Sequence, residues 1–131
     1  MPGPVVLELD PLSEVPIYQQ IRDRVVEAIA HGTLPVGAPL PSVRALAAEF
    51  GVNTATVAKA YDRLRGEGLL RTTSKSGSVV ARGPGSGPAA PHVAADWRER
   101  LLTLLAEGHA QGVPDVLGEC AQVVGNFGRP S

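Results

Sequence analysis

The sequence predicts a mostly α chain with one small β-hairpin, laid out as a winged helix-turn-helix followed by a two-helix C-terminal hairpin. Three observations carry that prediction. Two short apolar stripes, Val43, Leu46, Ala47, Phe50 and Val57, Ala60, Tyr61, Leu64, repeat at the three-and-four spacing of a helical face on either side of Gly51. After Gly68 the period changes, and β-compatible runs, Leu69 to Thr73 and Ser78 to Arg82, flank the turn SKSG. Residues 83–91, GPGSGPAAP, neither bury surface nor hold a helix and read as a linker, beyond which new apolar stripes begin. The expected organisation is an arm over 1–14, a winged helix-turn-helix over 15–82, the linker over 83–91, and a helical dimerisation region over 92–131.

Composition sets the bounds. A chain of 131 residues that is 44% hydrophobic has room for one compact domain and an appendage with a real core. A single cysteine, Cys120, cannot form an intrachain disulfide, which suits a reducing compartment. The start, MPGPVVLELDPLSEVP, has no basic n-region and no long apolar run, so the expected location is the cytoplasm. The net charge of -1 hides an asymmetry: residues 16–82 hold nine Lys and Arg against five Asp and Glu, while both flanks are acidic. Positive charge therefore gathers on the segment with the helix-turn-helix, as a phosphate footprint requires.

In chain order, the arm has an alternating patch, Val5, Leu7, Leu9, which fits a short strand or a loosely packed tail. A first helix should run from Pro16 to about His31, with Ile17, Ile21, Val25 and Ile29 repeating every four residues and Gly32 ending it. Tyr18 at its start suits either a phenol reaching a DNA phosphate or a ring packed on the core with its hydroxyl in water. GTLPVGAPLPS reads as a short, stiff connection, because Pro35, Pro39 and Pro41 forbid regular helix. Ser42 caps the next helix and Gly51 stops it; Val52 plugs the corner, Asn53 caps the second helix, and Gly68 closes it. Two helices around a glycine-bearing turn form the helix-turn-helix, whose second member lies in the DNA major groove.

Opposite its apolar stripe the second helix carries Thr54, Thr56, Lys59 and Arg63, hydroxyls first and cations further along, a distribution suited to base edges and phosphates. Its carboxylates, Asp62 and Glu67, sit in the second half. The hairpin that follows is placed as a wing, with Arg71 and Lys75 near the backbone or minor groove and Gly77 where positive φ is affordable. Beyond the linker, Trp97, Leu101, Leu104 and Leu105 form one helical stripe, and Val113, Val116, Leu117, Cys120, Val124 and Phe127 another, broken apart at Gly112 and Pro114. Two short helices cannot bury both stripes against each other alone. They need a partner surface, either the same hairpin of a second chain or the chain's own DNA-binding domain.

PIYQQI, then LPSVRALAAEFGVNTATVAKAYDRLRGEGLL, then a wing ending SGSVVA, resembles the winged helix-turn-helix of the GntR superfamily of bacterial transcription regulators, over about residues 15–81. The short two-helix tail resembles the YtrA-like branch, in which a small helical dimerisation unit replaces a large effector-binding domain. The resemblance implies a homodimer on a two-fold DNA operator, usually repressing its own operon, often beside transporter genes. It also implies that Arg44 meets DNA, that Asn53 and Thr56 open the recognition helix, that Lys59 is a basic contact, and that Gly77 is the wing-tip glycine. The chain departs from the pattern at Thr54 and Ala55, which replace a proline and an amide-bearing residue. Ala55 cannot donate a hydrogen bond to a base and offers only packing against a thymine methyl.

The expectation is thus a sequence-specific DNA-binding regulator, a repressor needing no cofactor. Its backbone N–H groups near Ser42 and Asn53, with Arg44, Lys59 and Lys75, grip phosphate, and Thr54 and Thr56 read bases, with Arg44 a further candidate for a base edge. His31, His92 and His109 show no metal-ligand spacing, Cys120 lies on an apolar stripe, and no Walker loop or serine elbow appears, so an enzyme is not expected. The rival from another class is a protein-interaction module that uses the winged domain as a scaffold and the helical tail to bind a different regulator. A groove between dimer subunits, lined by Trp97, Leu101 and Phe127, is the place left for a small-molecule effector, although the same residues also read as dimer core.

Overall fold

The computed structural model describes residues 8–74 and 77–127. Val5 and Leu7 of the arm and Lys75 of the wing lie outside the described residues. The chain divides into two compact units at Ser86 and Gly87.

In the first unit, α1 (Ile17–Ala30), α2 (Val43–Phe50) and α3 (Thr54–Gly66) are followed by the antiparallel strands β1 (Leu70–Thr73) and β2 (Gly77–Val80). Each helix starts where its chemistry says it should. Pro16 leads into α1 and its carbonyl accepts from the Gln20 N–H at 3.0 Å. Ser42 Oγ accepts from the Ala45 N–H at 3.0 Å, and Asn53 Oδ1 from the Ala55 N–H at 2.8 Å, so both expected caps satisfy N–H groups that the helices leave unpaired. Gly51 ends α2 in the left-handed region, at φ 66°. After α3 the chain does the same at Gly68 (φ 77°), where the Gly68 and Leu69 N–H groups return to the carbonyls of Arg65 and Leu64.

One core holds this unit together. Ile21, Val25, Leu46, Ala47, Val57, Ala60, Tyr61, Leu64, Leu70 and Val80 are buried in it, with Leu9, Ile17, Val43, Phe50 and Val52 packed at its margin. The stripes read from the sequence are its contents. Burying a large apolar side chain stabilises by about 1.5–3 kcal/mol each, so α3 is anchored chiefly through Val57, Tyr61 and Leu64.

Two features go beyond the expected layout. Among the described residues of the arm none is in a strand; instead Gln20, buried in α1, accepts from the Asp10 N–H at 2.7 Å and donates to the carbonyls of Asp10 and Val15, both at 2.9 Å. One side-chain amide thus fastens residues 10–15 to the helix. The proline-rich segment, expected as a short, stiff connection, also joins the wing. Pro39 bridges Val79, the Leu40 N–H donates to Ser78, the Val80 N–H to Ala38 and the Gly37 N–H to Val80, at 2.8–2.9 Å. Proline fits this edge because its missing N–H is at a position that the ladder does not use.

In the second unit α4 (Pro91–Ala110) starts with proline in its first turn, and α5 (Val116–Phe127) follows a turn in which the Asp115 carboxylate accepts from the Gly118 N–H at 3.1 Å. Gly108 lets the helices meet closely, since a Cβ there would stand 3.3 Å from Val116 Cγ2. Val116 is buried, whereas Trp97, Leu101, Leu104, Leu117, Val124 and Phe127 remain exposed, Leu117 and Val124 by 73% and 70%. Leu105 is half-buried. An open apolar groove of about 410 Å³ runs between the two helices, lined by Leu101, Leu105, Val116, Cys120 and Val124 among others.

Candidate nucleic-acid interface

The core dictates which face of α3 is free. With Val57, Ala60, Tyr61 and Leu64 turned inward, Ala55, Lys59 and Asp62, at i, i+4 and i+7, run along the opposite side. Thr54 is exposed in the first turn and Thr56 is half-buried on a flank. Ala55 therefore occupies the middle of the outward face, a position that helical-wheel arithmetic on the sequence would have singled out.

Cations sort by whether their heads are already engaged. Arg22 holds Glu67 through two bonds, at 2.9 and 2.6 Å, and Asp23 at 3.0 Å; its guanidinium is held above its ordinary pKa, chiefly by the Glu67 hydrogen bond. Arg24 pairs with Glu27 at 2.7 Å. Arg65 pairs with Asp62 and donates to Ser78 Oγ at 3.1 Å, tying α3 to β2. Arg63, expected on the DNA face, donates to Gln19 on α1. Arg44 and Arg71 are exposed and, among the described residues, have no hydrogen bond or ion pair. Lys59 is exposed too, its ammonium 4.0 Å from the centre of the Tyr18 ring.

These contacts form a ladder that the sequence reading did not foresee. Lys59, Arg63 and Glu67 fall on one i+4 row of α3, and α1 meets them with Tyr18, Gln19 and Arg22. Each helix has the right charge types in sequence, but nothing local says that a row on one helix faces a row on another. The consequence for a polyanion is favourable. Asp62 in the second half of α3 and Glu67 at its C-cap are neutralised internally, by Arg65 and Arg22, while Arg44 on α2 and Arg71 on β1 have no ion pair among the described residues.

The remaining expected contacts are placed as follows. Ser42 and Asn53 are exposed at the starts of α2 and α3, with their side-chain oxygens occupied as caps. Tyr18 is half-buried against the core and its hydroxyl has no partner among the described residues. Gly77, at φ 70°, opens β2 opposite Thr73. Tyr61 does not belong to the surface: it is buried, its hydroxyl donates to the Pro41 carbonyl at 2.7 Å, and burial pushes its phenol pKa up. Among the described residues no group of three or more His, Cys, Asp or Glu is placed to hold a metal, and no helix is long and apolar enough to cross a membrane.

Comparison with known proteins points the same way. The family model for bacterial regulatory proteins of the gntR family matches residues 17–80. The HTH-type transcriptional repressor YtrA of Bacillus subtilis is 32% identical over 108 residues, 82% of each chain. The HTH-type transcriptional regulator Rv1152 of Mycobacterium tuberculosis is 36% identical over 76 residues, 58% of this chain, which spans only 63% of that relative's length. Among solved structures, a transcriptional antiterminator from Listeria monocytogenes EGD-e has a TM-score of 0.80 at 26% identity, covering 95% of this chain and 90% of its own. YtrA from Sulfolobus acidocaldarius, a GntR-family transcription factor, has a TM-score of 0.61 at 36% identity over 80% of this chain and 98% of its own. The DNA-binding domain of AraR in complex with operator ORX1 has a TM-score of 0.50 at 32% identity, over 57% of this chain and 93% of its own.

Proposed function

The chain belongs to the gntR family of bacterial regulatory proteins, and from that premise we propose that it is a transcriptional repressor that binds a palindromic DNA operator as a homodimer in the cytoplasm. It is a regulator and not an enzyme. The observation that carries the proposal is the outward face of α3: all its large apolar residues are spent in the core, leaving Thr54, Ala55 and Lys59 presented to solvent. Seated in a major groove, Thr54 and Thr56 reach base edges and Ala55 packs on a thymine methyl. Arg44, Lys59 and Arg71, with the N–H groups near Ser42 and Asn53, hold phosphate, joined by Lys75 and the backbone at Gly77 on the wing.

The second unit supplies the pairing. Its exposed Trp97, Leu101, Leu104, Leu117, Val124 and Phe127, with the half-buried Leu105 and the groove above Val116, ask for a cover, and a second copy of the hairpin offers a surface of the same kind. Two recognition helices then fall about 34–36 Å apart, one turn of duplex. Occupying a promoter in this way blocks transcription without cofactor or effector. The same exposed face supports the reading in which the tail binds a different regulator.

Sequencing the DNA that co-precipitates with the protein tests the proposal. A recurrent two-fold site is expected, bound with an affinity that falls steeply as salt rises. Recovery of no enriched sequence, together with salt-independent retention of another protein, would replace it with the interaction-module reading.

A further inference from the structure

The row of α3 that faces α1 treats its three charges differently. Arg63 gives one N–H to the neutral Gln19 amide, and Glu67 is neutralised by Arg22. Lys59 alone meets a ring, with its ammonium 4.0 Å from the centre of Tyr18, a half-buried residue packed against the core. A carboxylate at that place would hold the lysine more firmly and cancel its charge. An aromatic face attracts the cation through its quadrupole but accepts none of the three N–H bonds in the ordinary sense and carries no net charge.

We propose that Tyr18 is a positioning residue for DNA binding, acting through its ring on Lys59 and not through its hydroxyl on phosphate. This rests on the reading of α3 as the recognition helix. The core-packed ring fixes where the flexible four-carbon stem ends, so Lys59 reaches the duplex with its rotamers already restricted and its full charge available. The expected phosphate contact from the phenol is replaced by an indirect one.

A double-mutant cycle decides it, run on the full chain with a duplex that the wild-type protein selects from a random-sequence pool. Tyr18→Phe keeps the ring and should leave affinity unchanged. Tyr18→Leu removes it and should weaken binding about two- to fivefold, the size of an exposed cation–π contact. The slope of affinity against salt should stay as it was, because the lysine still meets its phosphate. Lys59→Met should reduce that slope by about one, and in its background Tyr18→Leu should have no further effect. Should Tyr18→Leu fail to fold, Tyr18→Gln serves in the same cycle. Equal losses in Tyr18→Phe and Tyr18→Leu would overturn the proposal in favour of a hydroxyl contact. A loss from Tyr18→Leu that persists without Lys59 would overturn it in favour of plain packing. Failure of the wild type to enrich any duplex would instead remove the operator reading and this inference with it.

Discussion

Tyr61 shows how one residue can be read correctly by type and still hold a surprise. Its place in the apolar stripe was legible from spacing, but the bond from its hydroxyl to the Pro41 carbonyl was not, since the two are twenty residues apart. Tyr61→Phe leaves that carbonyl without its partner and should cost about 1–2 kcal/mol, seen as a lowered thermal midpoint. The same phenol gives the fold a base sensitivity. Its folded pKa is raised by burial above the ordinary value of 10.0, so below pH 10 it is neutral in both states and its stabilisation is complete. As pH rises past 10 the unfolded chain loses the proton and the folded chain keeps it, so stability falls. Chemical denaturation between pH 8 and 11 should show that fall, with a smaller slope in Tyr61→Phe. Arg44 is the residue where affinity should respond most directly. If its unpaired guanidinium makes a bidentate base contact, Arg44→Ala should cost about 1–3 kcal/mol in operator binding by gel-shift titration, and an unchanged titration removes it from the interface.

At the level of elements, the starts and stops of α2 and α3 were readable because they are local: a capping side chain, a stripe, and a glycine with positive φ. The wing was readable for the same reason. What escaped were contacts between elements. Residues 37–40 look like a loop because prolines punctuate them, and they pair with β2 through backbone groups about forty positions away. The ladder between α1 and α3 escaped because charge signs do not reveal which rows face each other. Asn53 shows the two kinds of information competing at one site. Its oxygen is engaged as a cap, so only the amide N–H groups remain for a base or phosphate. Asn53→Asp keeps the cap and the helix dipole favours the added charge. Thermal stability should therefore hold while operator affinity drops about tenfold from the carboxylate facing phosphate. A parallel fall in both would show that the substitution acts on the helix and not on the DNA.

For the whole molecule, the two units give separate tests. The first has its own core; the second leaves most of its apolar stripe in water. Replacing Leu104 or Leu117 with glutamate should abolish dimers in sedimentation velocity while leaving the thermal midpoint of the first unit in place. A fall in operator affinity should accompany it, because each half-site is then bound alone. Retention of a dimer would place the pairing surface elsewhere. The tail's partner was not legible, because an amphipathic stripe says that it needs cover and is silent on what provides it. Residues 37–40 carry a mechanical consequence through their isolated bridge and backbone bonds to β2. These residues are stitched to β2 on one side and run straight into Ser42 on the other, and Arg65 pins α3 to Ser78 in the same sheet. On the proposed docking, with α3 in the major groove and the wing at the minor groove, these contacts would hold the two at a preset gape. Bound in that way, it would favour duplexes that bend or narrow to match the gape over equally well-lettered ones that resist.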